Sequence, residues 1–252
     1  MLFQVLFSCV RVLFYKFILY FTFDALMTAM MIDTNDTARL VAQLLSVALA
    51  MLLETIYAKK KYKIRFSKIN QGSLWKNLIL CIWLGIGFNL FNNWVFKWNV
   101  VSDYMTYLES NTQNSFDIII KSPILIIYSG IFAPAIEELF FRGIIHNRLE
   151  TKYSLAVTCI ITAVIWALFH NLWYTYLYVI PIGIVISYVY SKRKNILFPM
   201  AIHIGNNLFN LIGRGFGWYG LINQKAVGVG FIMIVIGIVV FCIQIAKEEI
   251  SL

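Results

Sequence analysis

Glu137 and Glu138, followed by Arg142, put two carboxylates and a guanidinium inside an apolar segment running from about 118 to 145. A segment of that length can cross a bilayer, and charges at membrane depth are costly enough to mark a functional site. Helical spacing divides the labour. Glu138 and Arg142, four residues apart, share a face and can pair. Glu137 is turned about 100° from Glu138 and is free to face a buried cavity. The pattern reads as a brace, Glu138–Arg142, beside a working carboxylate, Glu137. The bland reading is a charged helix end reaching the interface.

Two later apolar segments carry matching chemistry. His170 ends the run Trp166-Ala167-Leu168-Phe169-His170, so the indole and imidazole share a helical face and the ring can orient the imidazole. His203 and Asn207 are also four apart, with Asn210 continuing that face and Asn206 close to it. Imidazoles and amides inside a membrane need polar partners. The simplest arrangement brings Glu137, His170, His203 and Asn207 around one wet cavity. A buried carboxylate can act as general base toward water, and a neighbouring histidine can share that water or protonate a leaving amine. Histidine with asparagine can donate to a developing oxyanion. Together these groups describe amide hydrolysis by an activated water. Each has a plain alternative, since a single polar group in a membrane helix is commonly a helix–helix hydrogen bond. Residue counting also sets His170 deeper toward the far side than Glu137 or His203. His146, at the end of the carboxylate segment, reads as interfacial.

The elements that must position these groups follow from composition. The chain has 252 residues, 60% hydrophobic and 13% charged, with a mean hydropathy of +0.76. One soluble core cannot absorb that much apolar surface, and the chain reads as an all-α polytopic membrane bundle of about eight transmembrane helices. The segments run from about 2 to 32, 37 to 58, 78 to 96, 118 to 145, 155 to 170, 174 to 190, 196 to 212 and 227 to 246. They form a single domain over 1–252, with the polar core at 118–212. The first is interrupted by Arg11, Lys16 and Asp24 and looks like a retained signal anchor, while Glu54 reads as interfacial. The net charge of +9 gathers beside apolar segments, as at Lys59-Lys60-Lys61-Tyr62-Lys63-Ile64-Arg65. That distribution suits membrane topology and anionic lipid, not nucleic acid. It places both termini inside and the loop from about 97 to 117 outside. Cys9, Cys81, Cys159 and Cys242 fall in apolar segments and read as small buried hydrophobes. The C-terminal residues carry no prenylation box.

These motifs resemble those of the CAAX protease and bacteriocin-processing family, the Abi family of intramembrane glutamic endopeptidases. Its Glu-Glu-x-x-x-Arg motif is matched by Glu137, Glu138 and Arg142. Its Phe-x-x-x-His motif is matched at His170, with Trp166 in place of the phenylalanine. Its His-x-x-x-Asn motif is matched by His203 and Asn207. The three occur in the family's order between about 118 and 210, and the first three segments match no signature. The resemblance implies that Glu137 with His170 activates water, that His203 and Asn207 stabilise the oxyanion, and that Glu138, Arg142 and Trp166 support them, without a metal or other cofactor. It implies a membrane-associated peptide or protein as substrate, in peptide-signal or bacteriocin processing, self-immunity or CAAX-type processing. The compact chain is similar to bacterial members, which implies the cytoplasmic membrane.

Three readings compete. A zinc site could use Glu137, His170 and His203 with water, although no His-Glu-x-x-His occurs. The chain could be a non-catalytic immunity or scaffold protein that binds a peptide or a membrane partner. It could be a small transporter with a polar relay, although the sequence shows no internal repeat.

Overall fold

A computed structural model describes residues 2–29, 36–59, 64–66, 71–92, 118–170, 173–217 and 224–250. Among these described residues, eight helical rods follow in order: α1 (Leu2–Ala29), α2 (Asp36–Ala58), α3 (Gln71–Asn92), α4 (Pro123–Glu150), α5 (Leu155–Leu168), α6 (Tyr176–Arg193), α7 (Leu197–Gly215) and α8 (Gln224–Ile250). Among the described residues, α1, α2, α3, α4, α6 and α8 are each long and apolar enough to cross a membrane. With α5 and α7 added, the count agrees with the expected bundle of about eight. The expected outer loop from 97 to 117, the turn at 33–35 and Lys60–Lys63 lie outside the described residues, as does the chain end at 251–252.

The two rods that fall short do so for different reasons. α5 has only 14 residues. α7 has 19, but its polar stripe of His203, Asn206, Asn207, Asn210 and Arg214 lowers its hydropathy. That stripe needs burial against other helices, because lipid offers it no partner.

Packing sets three layers around α4 and α7. α1 lies against α2, joined by a two-pronged Arg11–Glu54 pair in which Nε donates at 2.8 Å and Nη2 at 2.5 Å. Glu54, read from the sequence as interfacial, is therefore buried and paired. α2 packs on α4, where Tyr128 Oη donates to Leu44 O at 2.7 Å. α5 and α6 form a pair on the other side of α4. α3 is clamped between α7 and α8. The clamp depends on glycine: a Cβ on Gly85 would lie 2.1 Å from Ile202 O, and one on Gly205 would lie 2.7 Å from Ile82 O. Such backbone-to-backbone approach is how membrane helices gain packing without a hydrophobic drive between them.

α4 is not a regular α-helix. It opens into π-helical turns at Tyr128–Phe132 and Phe141–His146, on either side of the stretch Ala133–Phe140 that holds the carboxylates. Pro134 explains the first: its ring would clash with the carbonyl four residues back, and it has no N–H to give. Ala133 N–H reaches back to Tyr128 O, so the Ser129 carbonyl is left without its helical donor. π turns of this kind gather at functional sites.

Candidate active site

α4, α5 and α7 each turn one polar face toward a common cavity, and α3 closes it. The cavity measures about 120 Å³, and its walls include Glu137, Trp166, His170, His203, Asn206, Asn207 and Asn210. That is room for several waters among enough polar groups to hold them.

Glu138 and Arg142 form the expected brace. Arg142 Nη1 donates to Glu138 Oε1 at 2.9 Å, and both side chains are fully buried. Arg142 Nη2 also donates to Gly183 O at 3.2 Å, tying α4 to α6. The Glu138 carboxylate has a further task the spacing did not reveal: it accepts from His203 Nδ1 at 2.9 Å. A carboxylate paired with Arg142 can only accept, so Nδ1 of His203 carries the proton. Its Nε2 then points toward Glu137 Oε2, 4.0 Å away.

Glu137 faces the cavity, as its 100° offset from Glu138 predicts. Trp166 Nε1 donates to its Oε2 at 2.9 Å, which leaves Oε1 as the freer oxygen. The indole stands edge-on to both imidazoles, 5.4 Å from His170 and 4.9 Å from His203, and Arg142 lies 4.7 Å over its face. A phenylalanine at this position could pack in the same way but could not donate to the carboxylate.

The depth problem at His170 is removed by where α5 stops. The helix ends at Leu168, and Phe169 and His170 lie in a turn. His170 Nδ1 donates back to Trp166 O at 3.1 Å, holding the ring at the level of the indole and aiming Nε2 away from its own backbone. Asn207 is fixed by the irregular turn of α4: its Nδ2 donates to the Ser129 carbonyl at 3.3 Å. One N–H of that amide is thereby used, and the second remains available.

All seven residues named from the sequence meet at or directly beneath this cavity. The spacing did not identify Asn89 and Asn92 of α3 or Tyr178 of α6, which also line it. The asparagines left a signal, Asn89 and Asn92 lying three apart in a segment whose other residues, Asn93 apart, are apolar or glycine, which places them on one helical face. His146, read from the sequence as interfacial, is fully buried among the helices, with Nε2 2.6 Å from Ser191 Oγ and Nδ1 3.3 Å from Thr162 Oγ1. The last turns of α4 are enclosed by α5 and α6. Cys242, read from the sequence as a small buried hydrophobe, is exposed, while Cys9, Cys81 and Cys159 are buried as expected. Among the described residues, no three His, Cys, Asp or Glu side chains are grouped to hold a metal ion, Glu137, His170 and His203 included.

Residues 119–209 match the family model described as Type II CAAX prenyl endopeptidase Rce1-like. The chain is similar to the "Putative membrane peptidase YdiL" of Bacillus subtilis, 34% identical over 103 residues, covering 40% of this chain and 42% of that protein. It is similar to "UPF0177 protein YxdF" of Lactococcus lactis, 38% identical over 82 residues, covering 32% of this chain and 44% of that one. It is also similar to "CAAX prenyl protease 2" of Methanococcus maripaludis, 28% identical over 104 residues, covering 33% of this chain and 38% of that one. The matches therefore span about two fifths of the length of these relatives. No solved structure matches. The apolar helices and these likenesses together make the chain a multi-pass membrane protein.

Proposed function

We propose, from the match of residues 119–209 to the Rce1-like CAAX prenyl endopeptidase model, that the chain is an intramembrane endopeptidase that cleaves a membrane-associated peptide or protein with an activated water. The observation that carries this is the convergence of Glu137, Trp166, His170 and His203 from three helices on one polar cavity inside an apolar bundle.

The assignments follow from which atoms are already engaged. The attacking water sits between Glu137 and Nε2 of His170, whose Nδ1 is occupied by Trp166 O. Glu137 takes one proton from the water as its oxygen bonds to the substrate carbonyl carbon. The carbonyl oxygen gains negative charge, and Asn207 offers it the N–H not given to Ser129. His203 can add a second donor only as the imidazolium, because its neutral ring carries the proton on Nδ1 toward Glu138. Glu138 Oε1 lies 2.9 Å from Nδ1, on the side of the ring away from the cavity carboxylate Glu137. The proton held by Glu137 then passes to the amide nitrogen as the C–N bond breaks. The products are a carboxylic acid and an amine, and the site is returned to its starting state. Peptide-signal or bacteriocin processing, self-immunity and CAAX-type trimming are the substrate contexts this chemistry would serve.

The test compares membrane peptides by mass spectrometry from cells carrying the native protein or Glu137→Gln at matched abundance. A cleaved product present only with the native protein supports the reading. A product that persists with Glu137→Gln overturns it. Identical profiles with an immunity phenotype retained by the variant would favour a binding or scaffold role.

A further inference from the structure

The cavity has a second wall that the water chemistry does not use. α3 lies outside the family-matched residues 119–209, yet it contributes Asn89 and Asn92 opposite Asn206 and Asn210 of α7. The glycine contact of Gly85 with Ile202 and of Gly205 with Ile82 brings the two backbones together beside Asn206 and one turn before Asn89. Asn89 then donates from Nδ2 to Asn206 O at 3.2 Å, fixing the register between the helices.

The remaining amide atoms are set out in a particular way. Arg214 Nε donates to Asn210 Oδ1 at 3.0 Å, which turns the NH2 of Asn210 away from the guanidinium. Asn206 gives its own NH2 to Asn207 Oδ1 at 3.2 Å. Its Oδ1 is left buried without a partner. Asn92 is only 5% exposed and has no hydrogen-bond partner among the described residues. Buried amide groups left unpaired are costly, and native proteins keep few of them. Here an acceptor on Asn206, a donor on Asn210 and the whole carboxamide of Asn92 border the same polar space.

A peptide main chain is the ligand that answers such a set. Each peptide group supplies one N–H and one C=O. In an extended chain, alternate residues present these to the same side about every 6.6–6.8 Å. Positions four apart on a helix are separated by a rise of about 6 Å. Asn206 and Asn210 stand at that spacing, next to Asn207, where the scissile carbonyl would lie.

We propose that Asn92, Asn206 and Asn210, held in register by Asn89, form a recess that binds the substrate as an extended chain through its peptide groups, irrespective of its side chains. The proposal takes the scissile position from the endopeptidase reading, but binding itself does not require turnover.

The experiment uses full-length Glu137→Gln protein in lipid nanodiscs and a short alanine–leucine peptide carrying a benzophenone. A second probe has the same sequence with alternate peptide nitrogens methylated, which removes N–H donors without changing side chains. Labelling should map to residues 89–92 and 206–214. It should fall about tenfold with the methylated probe, and by a similar factor in Asn206→Leu or Asn92→Leu, as expected for a lost buried hydrogen bond. Equal labelling by both probes, or no labelling of α3 and α7 by either, overturns the recess. The two ideas separate cleanly. Main-chain-dependent labelling with no cleavage by native protein would sink the endopeptidase reading and leave the recess standing. Cleavage by native protein with labelling indifferent to methylation would do the reverse.

Discussion

α4 carries two polar clusters, and the polar cavity described above belongs to the first of them. Near its middle, Glu137 meets Trp166, His170 and His203 around a cavity. Near its end, His146 touches Ser191 and Thr162, Asn147 pairs with Tyr190, and Glu150 takes both Arg65 and Lys194. The ingredients are much the same: a histidine, a carboxylate, cations and amides at the level of apolar helices. At His146 both ring nitrogens are engaged and the ring is wholly buried. At His170 one nitrogen is anchored by a backbone carbonyl and the other is left for a guest. The lesson is that residue type and burial do not separate the histidine proposed to act on a substrate from the one that only joins helices. An unspent ring nitrogen beside an accommodating void does.

That contrast can be broken by substitution, and the largest effect belongs at the open cluster. Glu137→Gln should lower peptide cleavage by at least about 10²–10⁴-fold, the usual share of a positioned acid–base group, with the thermal midpoint in detergent nearly unchanged. A parallel loss of folded protein would make Glu137 structural and erase the contrast. Arg142→Met should act through the scaffold. Stranding Glu138 in a fully buried setting costs about 3–5 kcal/mol, readable as a steep fall in detergent melting temperature and membrane abundance. If Arg142→Met instead lost activity with its stability intact, the division between brace and working carboxylate would be wrong.

Trp166→Phe sharpens the comparison further. The ring contacts with both histidines survive, but the hydrogen bond to Glu137 does not, so kcat should fall roughly tenfold with little change in abundance, as expected for one lost bond to a charged acceptor. An unchanged kcat would mean that packing alone is what position 166 supplies. The smallest effect on activity is expected at the closed cluster. His146→Leu should cost about 1–3 kcal/mol of stability through the stranded hydroxyls of Ser191 and Thr162. The activity of the folded fraction should stay within about twofold of native, a change of only a few tenths of a kcal/mol in barrier. A large drop in the specific activity of the folded fraction would show that the two ends of α4 are coupled.

The parts of this molecule written in local spacing were legible before the structure. The Glu138–Arg142 pair, the separate facing of Glu137 and the His203–Asn207 stripe all follow from helical periodicity within one segment. Helix number followed from apolar length. What could not be read was anything that depends on how segments meet. Glu138 holding His203 joins residues 65 positions apart. The burial of His146 depends on α5 and α6 closing over the end of α4. His170 looked misplaced because residue counting assumes a continuous helix, and a turn at Phe169 broke that assumption. Asn89 and Asn92 escaped notice because amides in an apolar run have no motif until a neighbouring helix supplies the other half.

The brevity of α5 reaches beyond the protein. Its 14 residues span about 21 Å at the usual rise of about 1.5 Å per residue, against about 30 Å of hydrocarbon in an ordinary bilayer. Lipid beside it must shorten or tilt to cover the deficit, at a small elastic cost per ångström. A bilayer matched to α5 would be thinner along the flank that ends in His170, with headgroups and their hydration closer to the cavity. The lipid becomes a variable of the reaction. Turnover in vesicles should be faster in short-chain than in long-chain phosphatidylcholine, and indifference to chain length would mean that water and peptide reach the site by another route.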